Sequence, residues 1–247
     1  GETLEALKTS GFGLYDDKFG FSNKPVVWQE AAGAWNYDAT WDSENNEWVY
    51  GTLTHYWSRA LEGNVNLYAY APYDDASISV TSGILSFTQP NSGDNTTVDL
   101  LWAHRENVTS STSSLTFSHA LAKVSLASFT NEMNNDITLT GVSIKGTFYQ
   151  KGTLPLNGSD WAERTNNATE KTITRSYSTL ILKDDTKTLS GFFYLIPQED
   201  VVLTFTLSYQ ELGESKSVEV TKTQTFEKGK NYQLSITLGE RHRVVIE

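Results

Sequence analysis

The clearest pattern along the chain lies near its C-terminal end. Residues 201–209 read Val-Val-Leu-Thr-Phe-Thr-Leu-Ser-Tyr, with Leu203, Phe205, Leu207 and Tyr209 at every second position and Thr204, Thr206 and Ser208 between them. Successive side chains of a strand point to opposite faces, so this stretch predicts a strand with one face in a core and the other toward water. Residues 210–215, which contain Gly213, read as a hairpin loop, and 218–225 as the return strand with Val218 and Val220 inward. Residues 232–238 alternate again, and further strands are predicted at 122–129, 137–149, 179–183 and 192–196. Strands at this spacing, divided by Gly, Asn and Asp turns, predict a β-sandwich. The abundance of Thr, Ser and aromatic residues fits a pleated, half-buried surface.

The N-terminal part is less regular. Residues 64–70 alternate through Val65, Leu67 and Ala69, and 84–87 and 98–102 are short strand candidates. Between Trp28 and Trp57 the chain is rich in Trp, Asn, Gly and Asp, which predicts long aromatic-rich loops between strands. Residues 2–8 suit either one helical turn or an extended arm. No internal repeat or coiled-coil heptad is present. The polar run from Asn107 to Ser114 reads as a linker or long loop.

Composition changes across that run. Residues 1–114 carry a net charge of -10 and residues 115–247 a net of -1, and six of the seven Trp fall in the first part, with only Trp161 in the second. The expected organisation is therefore two β-sandwich domains, an acidic Trp-rich one over 1–114 and a second over 115–247. The 247 residues suffice for two such cores. With 38% hydrophobic and 20% charged residues and a mean hydropathy of -0.40, the chain is globular rather than disordered. No apolar run approaches the roughly 18 residues that span a bilayer as a helix. No signal peptide is visible, and a removed export signal before Gly1 fits the sequence. The absence of Cys excludes disulfides, thiolate metal sites and cysteine nucleophiles. A net charge of -11 without clustered Lys or Arg excludes the usual footprint of a nucleic-acid binder.

Catalytic chemistry is not legible. The four His (55, 104, 119 and 242) show no metal-ligand spacing, so no metal site and no cofactor are expected. His119 opens an apolar strand, where a structural histidine bonded to backbone is expected. The acidic pairs Asp16-Asp17, Asp74-Asp75 and Asp184-Asp185 read as turns or solvated loops rather than as paired carboxylates across a sugar. Residues 42–47 offer oxygen ligands but lack the turn Gly and distal Glu of an EF-hand. No nucleophile elbow, phosphate loop or dinucleotide fingerprint occurs. The Asn-x-Ser/Thr sites at Asn95, Asn107, Asn157 and Asn167 are expected by chance in so Ser/Thr-rich a chain. The candidate ligand surface is the Trp cluster, with Trp35, Trp41 and Trp48 available to stack on sugar rings. The opposing reading is that these rings fill the core of an irregular sandwich.

Six short motifs in order carry a family resemblance. Residues 117–124, Phe-Ser-His-Ala-Leu-Ala-Lys-Val, resemble the "F-x-H-x-hydrophobic-A-x-V" strand of fimbrillin-like proteins of Bacteroidales, the Mfa-like/FimA-like pilins, with Phe117, His119, Ala122 and Val124 as the matching positions. Tyr56-Trp57, the segment from Leu67 to Tyr73 with its Tyr-Ala-Tyr and Pro72, Asp99-Leu100 before Trp102-Ala103, Ile196-Pro197-Gln198, and Phe226 through Gly229 to Tyr232 resemble the family's other landmarks. The resemblance implies two transthyretin-like β-sandwich domains in tandem and a non-enzymatic role as a pilus subunit or accessory/tip adhesin. It also implies export as an outer-membrane lipoprotein or fimbrium component. Assembly with other subunits would follow by strand exchange: loss of an N-terminal strand opens a groove that a neighbour's terminal strand fills. By position, the arm before about residue 20 corresponds to the removable strand, and Arg241 to Ile246 lies near the donor end. Two features depart from the family pattern: the first Arg is Arg59, with Lys8 as the early basic site, and the chain stops soon after Ile246. A monomeric surface lipoprotein that binds glycans through its N-terminal domain is the alternative from a different class.

Overall fold

A computed structural model describes residues 2–18, 22–37, 39–42, 44–45, 47–50, 64–89, 98–109, 113–165 and 170–246. After helix α1 (Glu2–Ser10) come β1 (Phe12–Asp16), β2 (Lys24–Gln29), β3 (Ala34–Asn36), β4 (Ala39–Asp42), β5 (Glu47–Tyr50), β6 (Val65–Ala71), β7 (Ile78–Thr81), β8 (Ile84–Thr88) and β9 (Leu101–Val108). A two-residue strand β10 (Ser118–His119) precedes β11 (Ala122–Glu132), β12 (Ile137–Thr147), β13 (Lys151–Pro155), β14 (Glu163–Thr165) and β15 (Glu170–Ile181). The chain ends with β16 (Thr186–Thr188), β17 (Phe192–Leu195), β18 (Gln198–Glu211), β19 (Glu214–Phe226), β20 (Asn231–Gly239) and β21 (Arg243–Ile246). The fold class is all-β. Two compact units form, and neither is one continuous segment. Unit 1 comprises Gly1–Phe87, Asp99–Ala120 and Thr153–Glu163; unit 2 comprises Thr88–Val98, Leu121–Gly152 and Arg164–Glu247.

Unit 2 is the sandwich that the alternation predicts. One sheet runs β15-β12-β18-β19, and the other β16-β11-β20-β21 with β17 also paired to β11. Leu203, Phe205, Leu207 and Tyr209 of β18 are buried, as are Leu139, Val142 and Ile144 of β12. They share one core with Val124, Leu126 and Phe129 of β11 and Leu234, Ile236 and Leu238 of β20. Facing rows of apolar side chains from two sheets are what make such a core. The β18–β19 hairpin closes with only two loop residues, Leu212 and Gly213, rather than the six-residue loop expected. Both have positive φ (52° and 84°), the geometry of the tight turn whose twist matches its strands. At the same end Glu211 is buried, and accepts hydrogen bonds from Asn135 Nδ2 (3.0 Å) and Lys216 Nζ (2.7 Å). The fully buried Asn131 donates Nδ2 to the carbonyls of Asn135, Ile181 and Leu182 and accepts the Met133 N–H. Its amide thus does the work of missing backbone partners at the β11–β12 turn.

Unit 1 holds a six-stranded sheet in the order β10-β9-β6-β1-β2-β3. A second sheet, ordered β14-β13-β8-β7, contributes its residues up to Phe87 and from Thr153 to Glu163 to this unit. Strand β1 runs antiparallel to both β6 and β2, and residues 12–15 are all buried. A strand covered on both faces shows an apolar run instead of alternation, which hid it from the periodicity. Phe12 and Leu14 join Val26, Ala69, Ala71, Leu101 and Ala103 in one cluster, against which Leu7 of α1 also packs. Gly11 ends α1 in the left-handed region (φ 66°), with its N–H bonded to the Leu7 carbonyl (2.8 Å). A Cβ there would stand 2.9 Å from the Val26 oxygen, so both backbone angle and space require glycine. The expected loops between Trp28 and Trp57 contain the hairpin strands β3, β4 and β5, whose three or four residues are too short for a period-two signal to emerge.

Candidate functional site

The family-like motif at Phe117, His119, Ala122 and Val124 does not form one strand. Phe117 packs on the unit 1 cluster, its ring edge-on to Phe12 at 5.2 Å, and His119 ends β10, paired to Leu101 of β9. Ala120 and Leu121 are buried, and β11 begins at Ala122 in unit 2, where Ala122 and Val124 enter the other core. The motif is thus divided between two sheets, its first half in β10 beside β9 and its second half opening β11. His119 Nδ1 meets Asp99 Oδ1 at 2.9 Å. Asp99 is the Asp of the Asp99-Leu100 motif, so two landmarks meet.

Two further landmarks have equally local roles. Gln198 accepts the Tyr149 N–H at Oε1 (2.9 Å) and donates Nε2 to the Thr147 carbonyl (3.0 Å), replacing sheet bonds where β12 ends. The Phe226 ring lies edge-on to Tyr232 at 5.1 Å, and the Tyr232 hydroxyl accepts the Glu227 N–H (2.8 Å). Gly229, at φ 70°, donates its N–H to the Leu121 carbonyl (3.0 Å). These motifs mark strand ends and turns rather than reactive groups. Tyr56-Trp57, His55, Arg59, Asn95 and Asn167 lie outside the described residues, as do Ser43 and Asn46 of the acidic loop. Among the described residues no group of three or more His, Cys, Asp or Glu is placed to hold a metal ion.

The three candidate tryptophans differ. Trp35 is half-buried against the Phe12 cluster, with Phe12 at 5.2 Å and Trp28 at 5.4 Å, both edge-on. Its ring is engaged in packing. Trp28 in turn carries Lys8 Nζ 4.6 Å above its ring and donates Nε1 to Glu30 (2.6 Å). Trp41 and Trp48 are paired in backbone register across β4 and β5, and their side chains lie outside the described set.

The periodic pattern did not reveal a second aromatic group. Residues directly opposite in neighbouring strands share a face. Register places Tyr15 opposite Tyr68 and Gly13 opposite Tyr70 on β1 and β6, and Tyr70 opposite Trp102 on β9. One face of the six-stranded sheet therefore carries Tyr15, Tyr68, Tyr70 and Trp102, on the side opposite Phe12 and Leu14. Burial, with the neighbouring Tyr73 second, pushes the Tyr15 phenol up to about 12. Burial first and Tyr15 second raise Tyr70, although its hydroxyl donates to Asn23 Oδ1 (2.7 Å). Tyr68 is raised by burial and then by Asp17 and Glu106.

At the end of this row unit 1 opens a cleft of about 680 Å³. One wall is Tyr15, Tyr68 and the Asp16-Asp17 pair; the other is the Ser82-Gly83 turn between β7 and β8 with Ile84, and the segment following β13 up to Asn157. The Leu156 N–H bonds to the Gly83 carbonyl (2.9 Å), tying the two parts of the second wall together. Asp17 is anchored by Asn66, whose N–H reaches Oδ1 (2.8 Å) and whose Nδ2 reaches Oδ2 (2.9 Å). Asp16 ends β1 opposite Leu67 and Asp17 opens the bend after it, so the pair sits at a strand end rather than in a turn, and lines a cavity.

Solved structures share this fold. A candidate cell adhesion protein of Bacteroides uniformis is similar with a TM-score of 0.57 at 16% identity, covering 96% of this chain and 90% of its own. One of Bacteroides ovatus gives a TM-score of 0.55 at 19% identity, covering 96% and 85%. No curated protein matches the sequence at a significant level. The sequence model described as "Fimbrillin-like" matches residues 12–247, from the first residue of β1 to the C-terminus. That match, over nearly the whole chain, identifies it as a member of the fimbrillin-like family.

Proposed function

We propose that the chain is a non-enzymatic cell-surface protein, a pilus subunit or accessory/tip adhesin, that joins its neighbours by β-strand complementation. In this reading it is exported and held at the outer membrane or in a fimbrium, and each unit serves as one transthyretin-like domain. The observation that carries the proposal is the position of β1. It is the N-terminal strand, yet it lies between β6 and β2 with four register pairs to one and three to the other. Its removal leaves two facing strand edges with unpaired N–H and C=O groups, and an apolar trough where Phe12 and Leu14 sat. Such a groove is refilled by an added strand with apolar side chains at alternate positions: backbone bonds give affinity and the alternating pockets give specificity. The C-terminal strand β21 has that pattern. It lies at a sheet edge, paired among the described residues to β20 alone, with Val244 and Ile246 partly buried and Val245 exposed.

A protease site placed between β1 and β2 tests the assignment. After cleavage the protein is expected to release its N-terminal segment and form oligomers, and a peptide spanning residues 11–17 is expected to block them. A cut protein that sheds β1 and stays monomeric by light scattering ends the assembly reading.

A further inference from the structure

Tyr15, in the wall of the unit 1 cleft, carries an unpartnered polar atom. Tyr15 is 7% exposed, and its hydroxyl is buried without a hydrogen-bond partner among the described residues. Buried polar atoms are nearly always paired, so one left over at a cavity wall calls for a partner that enters the cavity. The volume falls within the roughly 300–1,000 Å³ usual for ligand clefts. The lining is of two kinds. Tyr68, the half-exposed Ile84 and Pro155 present apolar surface; Asp16, Asp17 and Asn157 present acceptors and an amide. Among the described residues no Lys or Arg lines it.

This combination selects a ligand class. A pyranose ring has an apolar face of C–H groups that suits an aromatic or aliphatic wall, and a rim of hydroxyls that donate well to carboxylates. An anionic ligand would face two carboxylates with no compensating cation. We propose that this cleft binds an uncharged sugar unit of a surface glycan. Tyr68 and Ile84 lie against the ring, the Asp16 and Asp17 carboxylates accept from its hydroxyls, and Tyr15 Oη makes the hydrogen bond it lacks in the free protein. The inference rests on the surface-adhesion reading and supplies its ligand. It moves sugar recognition from the tryptophan cluster to a tyrosine–carboxylate cleft.

The test uses the full chain on an array of neutral glucose, mannose, galactose and N-acetylglucosamine oligosaccharides, with sialylated and sulfated glycans beside them. Wild type is expected to bind a neutral subset and to leave the anionic glycans. Asn157→Trp, at an exposed mouth position, is expected to weaken that binding at least tenfold with an unchanged melting temperature. Tyr15→Phe removes only the unpartnered oxygen, so its melting temperature is expected to hold or rise while affinity falls at least threefold. A phenol that served the fold alone would show the opposite split. The cleft assignment is overturned by no neutral binding, by a preference for anionic glycans, by capture of lysine-rich peptides instead, or by full binding in Asn157→Trp. Beads coated with wild type and with Asn157→Trp, scored for adhesion to bacterial and host-cell surfaces, separate the two readings. Adhesion that survives Asn157→Trp overturns the cleft and leaves the adhesin standing, and no adhesion by wild type overturns both.

Discussion

Units 1 and 2 reach stability by different routes. In unit 2 two sheets face each other across one core, and each long strand gives alternate residues to it. Phe205, Leu207 and Tyr209 of β18 point in while Thr204, Thr206 and Ser208 stay half-exposed between them. Unit 1 depends on β1, a five-residue strand with both faces covered. One of its residues is a glycine because the Tyr70 ring occupies the space a side chain would need. Regular burial spreads risk over many positions; a threaded central strand concentrates it in a few.

The largest expected effect tests whether the units are energetically separate. Phe205→Ala empties a fully buried site in unit 2 and should cost about 3–5 kcal/mol. Every tryptophan whose side chain is described belongs to unit 1, so tryptophan fluorescence reports that unit while circular dichroism reports both. In urea, the dichroism transition should move to lower denaturant and the fluorescence midpoint should hold. A common shift would show one cooperative block and dissolve the contrast. The converse substitution is Gly13→Val. Its Cβ would overlap the Tyr70 ring and come within 2.6 Å of Asn23 Oδ1. A loss of about 3 kcal/mol is expected, the upper end of overpacking, this time in the fluorescence transition.

How the sequence disclosed each unit follows from the same contrast. The strands of unit 2 were readable because one face of each is buried and the other wet, which writes a period of two into the residue order. Phe12-Gly13-Leu14-Tyr15 has no wet face and so no period, and β3, β4 and β5 are too short to show one. The change of sheet at Ala120-Leu121 also left no mark, since Phe117 through Leu126 reads as one apolar-alternating run. Trp161 was assigned with the C-terminal residues by position. It belongs to unit 1, where its Nε1 bonds to the Ala120 carbonyl (2.8 Å) and its ring meets Phe87 at 6.3 Å. Composition along a chain cannot follow a segment that returns to an earlier unit. At the candidate site, Asp16-Asp17 and the Tyr-Ala-Tyr segment stand in the sequence, but only strand register brings Tyr15 beside Tyr68, and only the fold brings the Ser82 turn to the same cleft.

Two smaller effects sharpen the contrast. The unfolded chain ionises its tyrosines near pH 10, whereas the folded Tyr15 holds its proton to about 12 and Tyr70 is raised as well. A raised acid contributes stability that is intact below pH 10 and is lost as pH climbs toward 12. Tyr15 alone accounts for about 2 kcal/mol. Tyr177 and Tyr209 of unit 2 are also raised by burial, so tryptophan fluorescence is again the probe that isolates unit 1. A fluorescence-monitored stability that stays flat from pH 10 to 12 would contradict the burial of that row. The smallest effect is a gain. Leu212 sits at φ 52° and is almost fully exposed, an unfavourable conformation for a residue with no packing in return. Leu212→Asn should stabilise unit 2 by about 0.5–1 kcal/mol, read as a higher melting temperature in dichroism alone.

The pairing of β11 with β20 is parallel and joins segments roughly a hundred residues apart, Lys123 opposite Asn231 through Glu132 opposite Gly239. A ribosome delivers β11 long before β20 exists, so the unit 2 core stays open until β20 has emerged. Unit 1 waits too, because Thr153–Glu163 must arrive before it is complete. Contacts this distant slow closure. The topology therefore keeps the nascent polypeptide loose during synthesis, so that both cores close late.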